Sequence, residues 1–389
     1  MKRIKMFAAI SLMLAVVLVL SACSAAGKTS AGSTTATASA ASSSQSSDGS
    51  ALDLTKLSLD EITAGAKKEG DIESAGMPDY WANWAASWTG ITDKYGITHA
   101  DVDMGSAEEL ALFESEKDDP TKDIGDVGIM FAVTGKDQGL LQPYKVSNWD
   151  AIPDWAKDAD GYWTASYTGT TCFIINDSQT NGVVPTTWKD LMDSDIVVCP
   201  GDVVGGASAQ LNVVACAIAM GGSEDNLQPG IDYFIALAKA GRLDPGAGGY
   251  SRLQAGEVEC TVDQLDFNGV SYAQSINAQN IDGIHITPSI PQDGALTMGY
   301  AEIINKYAPH PQAAACAMEY FLSDQGQIDR AYGGARPIRS DVTLPDDVPL
   351  LDESLYKNAK TMQDAQQLQK ICNQVATMWQ EQVMPLMGN

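Results

Sequence analysis

The sequence predicts an α/β body of two lobes carried on a flexible leader. Strand-like and helix-like stretches alternate along the chain, the pattern of an α/β protein. About 340 of the 389 residues follow position 51, more than one hydrophobic core usually serves, so two lobes are expected. After the first 20 residues no apolar run reaches the length of a membrane span.

The elements follow in order. Lys2, Arg3 and Lys5 precede an apolar run from Met6 to Leu20, and the small residues Ser21 and Ala22 lead to Cys23. This is the layout of a secretory signal, too short for a bilayer. The Leu20-Ser-Ala-Cys23 ending resembles the lipobox of bacterial lipoproteins, which implies cleavage before Cys23 and acylation of its thiol. Residues 24–50 are almost wholly Ser, Ala, Thr and Gly. Such a stretch cannot bury enough surface to offset chain entropy, and as a leash it would reach about 30 Å. Asp60–Gly70 then reads as a helix ending on a glycine cap. Met77–Trp84 reads as a turn entering a second helix, with Pro78 at its start. Ser106–Lys117 is a third helix, with Ser106 and Glu109 spaced as a capping box. Ile124–Met130 is a short buried strand running into a glycine-rich loop. Thr171–Asn176 is an apolar strand, Pro185–Met192 a short helix and Ile196–Cys199 a strand. A glycine loop, the helix Ala207–Met220 and a helix ending near Gly241 come next. Gly256–Val262 alternates like a strand and is followed by a loop over Asp263–Asn268. Pro311–Leu322, Asp324–Tyr332 and a long amphipathic run Ala359–Val383 are helical. No repeat of fixed period is visible.

Charge narrows the partners. The formal net charge is −26, and loss of the basic leader makes it more negative. Nucleic acid and anionic lipid surfaces demand clustered Lys and Arg, so neither is expected. Cys172, Cys199, Cys216, Cys260, Cys316 and Cys372 lie mostly in apolar runs, where free Cys behaves as a small hydrophobe. With three scattered histidines and no Cys/His cluster, no zinc site is expected.

Several motifs are incomplete. Gly201–Ser208 has the glycine spacing of a phosphate loop, but Ala207 stands where the essential Lys belongs. What remains is a strand, a turn and a helix start at Gly206, Ala207 and Ser208, suited either to an anionic or polar ligand group or to plain capping by Ser208. Asp101–Gly105 opens like a calcium loop, yet Leu112 falls where the closing Glu is needed. No G-x-S-x-G elbow or G-x-G-x-x-G fingerprint occurs. Nothing indicates an enzyme. Aromatic and acidic residues crowd a few loops: Asp79, Tyr80, Trp81 and Trp84; Asp126 and Phe131; Tyr167 and Thr168; Asp263, Asp266 and Asn268; Tyr300 and Glu302. Aromatic walls with carboxylates suit an organic cation. Trp81 and Trp84 equally fit one apolar helix face.

The leader, Ala66-Lys-Lys-Glu-Gly70, Asp123-Ile-Gly-Asp-Val-Gly128, Ala255-Gly-Glu-Val258, Ser323-Asp-Gln-Gly-Gln327 and Ala335-Arg-Pro-Ile-Arg339 together resemble the extracellular solute-binding proteins of ABC importers. The resemblance covers roughly residues 57–345 and is to the iron, polyamine, thiamine and phosphonate-like branch. It implies the type 2 periplasmic-binding fold: two α/β lobes joined by two crossover strands, with the ligand cleft between them. The crossovers would lie near Gly169–Phe173 and Ile286–Met298. Residues 1–22 would be the signal peptide and 23–50 the lipidated linker. Lobe one would take 51–168 plus 296–389, and lobe two 169–295. The cleft would be lined by Met77–Trp81, Asp126–Phe131, Tyr167–Thr170, Gly205–Ser208 and Asp263–Asn268. Iron-binding members carry an adjacent Tyr-Tyr pair, which this chain lacks. The preferred ligand is a small amine-bearing solute such as a polyamine or thiamine-like cation, oriented by Asp79 or Asp266 and stacked on Trp81, Tyr167 or Tyr300. A phosphonate, sugar phosphate or carboxylate at Gly206–Ser208, or ferric ion, is the alternative, and a zwitterion would use both amine and anion sites. The protein is expected to be a monomer without cofactor, anchored through Cys23 to the outer face of the membrane and serving a permease. An extracellular hydrolase with paired carboxylates, or an adhesin, is the rival reading.

Overall fold

The computed structural model describes residues 52–246 and 248–387; the leader, Cys23 and the segment 24–50 lie outside them. The strands are β1 (Asp71–Ala75), β2 (Thr98–Val102), β3 (Ile124–Gly128), β4 (Thr164–Thr170), β5 (Phe173–Asn176), β6 (Val198–Cys199), β7 (Cys260–Thr261), β8 (Ile286–Ser289), β9 (Ala295–Ile304), β10 (Arg336–Pro337) and β11 (Ala359–Thr361). The main helices are α1 (Leu59–Glu69), α2 (Trp84–Tyr95), α3 (Ser106–Ser115), α4 (Ile129–Asp137), α5 (Trp188–Asp193), α6 (Ala207–Ala219), α7 (Gln228–Lys239), α8 (Tyr250–Gln254), α9 (Asp266–Asn277), α10 (Pro311–Phe321), α11 (Asp324–Tyr332) and α12 (Ala365–Gln382).

Local chemistry sets the ends of α1. The Ser58 hydroxyl accepts from the Glu61 amide while the Glu61 carboxylate accepts from the Ser58 amide, and Gly70 closes the helix at φ 79°. This satisfies end groups that the helix cannot pair internally. Other boundaries differ from the sequence expectation. The turn after β1 runs to Asn83, so Pro78 stands six residues ahead of α2 rather than at its start. At α3 the capping carboxylate is that of Glu108, which accepts from the Gly105 amide at 3.1 Å, and Glu109 is released from that role. Gly128 passes directly into α4, so Phe131 is helical and not in a loop. Likewise α9 starts at Asp266, inside the expected loop, and the C-terminal run begins as β11 before α12.

Two sheets form among the described residues. The larger has seven strands in the order β10-β4-β9-β3-β1-β2, with β11 beside β9; the smaller is β6-β7-β5-β8. In the larger sheet β1, β2 and β3 run parallel, and β9 runs antiparallel to β3 and β4. Every residue of β3 is buried, which is why it shows no polar alternation. The chain leaves the larger sheet after Thr170, enters the smaller at Phe173, leaves it at Ser289 and returns at Ala295. These passages lie side by side: the Thr171 amide donates to the Leu296 carbonyl at 2.9 Å, and the Leu296 amide to the Thr171 hydroxyl at 3.0 Å. The result is two lobes on a paired crossover.

The six cysteines from Cys172 to Cys372 are unpaired and buried. Helix α12 buries the stripe Leu368, Ile371, Val375 and Trp379 and packs on α4, α6 and α7, with Trp379 5.1 Å from Phe234. No described helix is long and apolar enough to cross a membrane.

Candidate functional site

Parallel strands send their carboxyl ends, and the loops after them, towards one edge of a sheet, where ligands collect in open α/β folds. Here the ends of β1, β2 and β3 face loops from the smaller sheet across a cavity of about 540 Å³. Gly76, Tyr80 and Trp81 follow β1; Asp103, Met104 and Gly105 follow β2; Asp126 lies within β3. Opposite stand Asp202 and the first turn of α6, Tyr250 at the start of α8, Asp263 after β7, and Tyr272 on α9. Tyr300 of β9 forms part of the wall. The lobes also touch directly. The Ala107 amide donates to the Gly205 carbonyl at 3.3 Å, and the Tyr80 and Tyr250 rings stack at 6.5 Å.

Aromatic rings form one wall. Trp81 meets Phe267 and Tyr300 edge-on at 5.2 and 5.8 Å, and its indole N–H donates to the Tyr167 hydroxyl at 2.8 Å. Tyr167 stacks on Tyr300 at 5.3 Å and donates its own O–H to Asp126. The ring faces are therefore held by hydrogen bonds behind them.

Five carboxylates line the cavity: Asp103, Glu109, Asp126, Asp202 and Asp263. No Lys, Arg or His does so among the described residues. The five are not equivalent. Asp103 accepts from the Tyr80 hydroxyl at 2.5 Å. Asp202 accepts from the Val204 and Gly205 amides, each at 3.0 Å. Asp263 accepts from the Gly248 amide at 2.9 Å and the Thr261 hydroxyl at 2.5 Å. By contrast both oxygens of Glu109, and one of Asp126, have no partner of normal hydrogen-bond geometry. Glu109 is 1% exposed and sits in a slot between Gly76 and Gly125, where a methyl group on either glycine would overlap its carboxylate. Burial, then the facing Asp126, Asp101 and Asp103, hold its carboxyl well above the usual range, and the Asp126 backbone N–H offsets only part of this. Asp126 is also raised, chiefly by burial, against the opposing pull of the Tyr167 hydroxyl and the Arg330 guanidinium. Burial raises Asp263 as well.

Of the residues expected from sequence, Tyr80, Trp81, Asp126, Gly206, Ala207, Ser208, Asp263 and Tyr300 reach the cavity. Tyr167 is fully buried one layer behind, supporting Trp81 and Asp126. The others lie elsewhere. Asp79 is exposed and borders a different depression with Trp88 and His99. Phe131 lines the groove between α3 and α4, a consequence of α4 starting at once after β3. Thr168 faces the back of the crossover beside Arg336. Asp266 is buried and accepts from the Thr170 amide at 2.8 Å and the Tyr356 hydroxyl at 2.6 Å, so it staples the crossover instead of facing ligand. Asn268 accepts from the Leu265 amide at 3.1 Å and caps α9. Glu109, Tyr250 and Tyr272 were missed as site residues. Only the adjacent Glu108-Glu109 pair hinted at Glu109, since one residue sufficed for the cap.

Comparison with known proteins agrees with this geometry. The profile of the bacterial extracellular solute-binding protein family matches residues 119–362. The periplasmic binding protein AfuA of Actinobacillus pleuropneumoniae, solved with fructose-6-phosphate, is similar in fold at a TM-score of 0.66 and 16% identity, covering 80% of this chain and 98% of that one. The ferric binding protein of Campylobacter jejuni is similar at 0.61 and 18%, covering 80% and 98%. Iron-bound HitA of Pseudomonas aeruginosa is similar at 0.58 and 18%, covering 78% and 99%. No curated protein sequence matches the chain. With the two-lobe type 2 periplasmic-binding fold and a cleft between its sheets, the chain belongs to the bacterial extracellular solute-binding proteins, the substrate-binding components of ABC importers.

Proposed function

We propose that this cleft takes a small organic solute bearing an ammonium group, which the protein delivers to a membrane permease. One observation carries the reading: five carboxylates and no basic side chain line the cavity among the described residues. An ammonium placed among them gains charge-assisted hydrogen bonds, each about 1.5–3 kcal/mol. The faces of Trp81, Tyr250 or Tyr300 add cation–π attraction of about 0.5–2 kcal/mol. A purely anionic solute meets like charge here, and the Val204 and Gly205 amides of the glycine loop are already occupied by Asp202. The first turn of α6, Ala207–Ala209, still favours a polar or anionic substituent on the same solute, which suits a zwitterion. For ferric ion, no group of three or more His, Cys, Asp or Glu converges as metal ligands among the described residues.

Capture works by hinge closure, since a solute touching both walls stabilises the closed arrangement over the open one. The sheet membership supports lobe one as 51–168 plus 296–389 and lobe two as 169–295, with α12 packed on both. The lipobox-like leader supports anchoring through Cys23 on the outer face of the membrane. A thermal-shift screen with putrescine, thiamine, choline, fructose 6-phosphate and ferric citrate tests the ligand class. A ligand at 100 times its Kd should add about 2.7 kcal/mol. Stabilisation by the phosphate or by iron alone would overturn the amine reading, and turnover of a bound compound would overturn the assignment as a carrier.

A further inference from the structure

Resting on the cationic reading above, we propose that Glu109 exchanges a proton for the ligand: its carboxyl is protonated in the empty cleft and gives the proton to solvent when an ammonium group docks. Three observations place this on Glu109 rather than on the acidic surface in general. The side chain is 1% exposed yet lines the cavity. Neither oxygen has a hydrogen-bond partner of normal geometry. The slot that receives it exists because two glycines, Gly76 and Gly125, leave out the atoms that would fill it. A site built to admit a carboxyl and then leave it unpaired lacks its partner.

The facing carboxylates push the same way, and only the Asp126 backbone N–H opposes them. From β2 and the loop after it come Asp101 and Asp103, and from β3 comes Asp126; the Tyr300 hydroxyl of β9, facing the same cavity, is itself raised by burial and then by Asp126 and Glu109. Arg330 on α11, which acts on Asp126, is committed to the layer behind it, stacked 3.6 Å from Trp84 among Tyr167, Glu302 and Asp329. Phe113 and Ile303 complete the slot with apolar surface. An ionised carboxyl in such a place has lost its water without gaining a cation, so the neutral form prevails. An arriving ammonium supplies the missing charge and reverses the balance. The proton leaves by the cavity mouth, and the acid becomes a carboxylate paired with the ligand. Affinity for cations then rises with pH, by up to about tenfold per unit below the ionisation of the empty site, until the carboxyl is already ionised.

The test is calorimetry of putrescine and thiamine binding to the full chain at about pH 6 and pH 8, in two buffers of different ionisation enthalpy. Difference infrared spectra of the protonated-carboxyl C=O band accompany it. The wild type should release about one proton per cation bound and bind more tightly at the higher pH. Glu109→Gln should lose that release, flatten the pH profile and bind at least tenfold more weakly. Tight binding without proton release at either pH overturns this inference and leaves the cationic reading standing. If neither cation binds, the cationic reading falls, and infrared titration of the ligand-free wild type against Glu109→Gln still decides the protonation, since Asp126 and Glu302 are also raised by burial. Absence at neutral pH of a protonated-carboxyl band that Glu109→Gln removes overturns it.

Discussion

Gly125→Ala probes the glycine slot directly. Gly125 has no positive φ, so alanine fits its backbone, and the shorter list of unfolded conformations alone would stabilise by about 0.4–1 kcal/mol. The new methyl, however, overlaps the Glu109 carboxylate, while Ile303 and Phe113 lie at an ordinary 3.5 Å. Displacing a buried, confined side chain is overpacking, costing about 1–3 kcal/mol. The single change should therefore destabilise by up to about 2.5 kcal/mol. Glu109→Ala alone removes a buried carboxyl without hydrogen-bond partners and should be neutral or stabilising near neutral pH. In that background the methyl added by Gly125→Ala enters vacated space, so its cost should fall to zero or turn favourable, giving a coupling of about 1–3 kcal/mol between the sites. Urea unfolding of the four proteins, compared by midpoint at constant slope, measures this. Additive effects in the cycle would refute the slot.

Other outcomes follow from the same contacts. Asp266→Ala should cost about 1–3 kcal/mol of stability, because the Thr170 amide and Tyr356 hydroxyl lose their acceptor. Putrescine affinity measured on the folded variant should stay within about twofold. Stability of the ligand-free protein should fall as pH rises above about 4.5, the ordinary Glu value, because Glu109 titrates higher when folded; thermal melts of Glu109→Gln should show a flatter profile. Trp81→Ala should weaken cation binding by about 0.5–2 kcal/mol through the lost ring, read by calorimetry. Arg330→Met should destabilise by about 1–3 kcal/mol, since the buried Ser87 hydroxyl loses its donor and the stack on Trp84 is lost, read by urea unfolding.

Elements governed by local chemistry were legible in the sequence. The glycine stop at Gly70, the start of α10 at Pro311 and the glycine turn leading to α6 all depend on residues within one helical turn. Strand β9 was not legible: ten residues buried almost throughout leave no alternation to read. The site was half legible for a related reason. Tyr80 and Trp81 stand in a turn that the pattern exposes, and Asp126 is a lone carboxylate in an otherwise apolar and glycine strand, whereas Asp266 and Asn268 fell to the start of α9, where polar residues cap a helix. A shift of one residue at α3 had the largest effect. Once Glu108 takes the cap, Glu109 turns towards the cavity, and no periodicity distinguishes the two in advance.

The position of α12 constrains how the clamshell moves. On the proposed lobe division, α12 rests on α4 of one lobe and on α6 and α7 of the other, and cannot follow both during a rotation. Its apolar row must slide on one bed as the gap widens, with Trp379 dragging over or parting from Phe234. If the lobes close as proposed, α12 would act on that swing as a stay acts on a door.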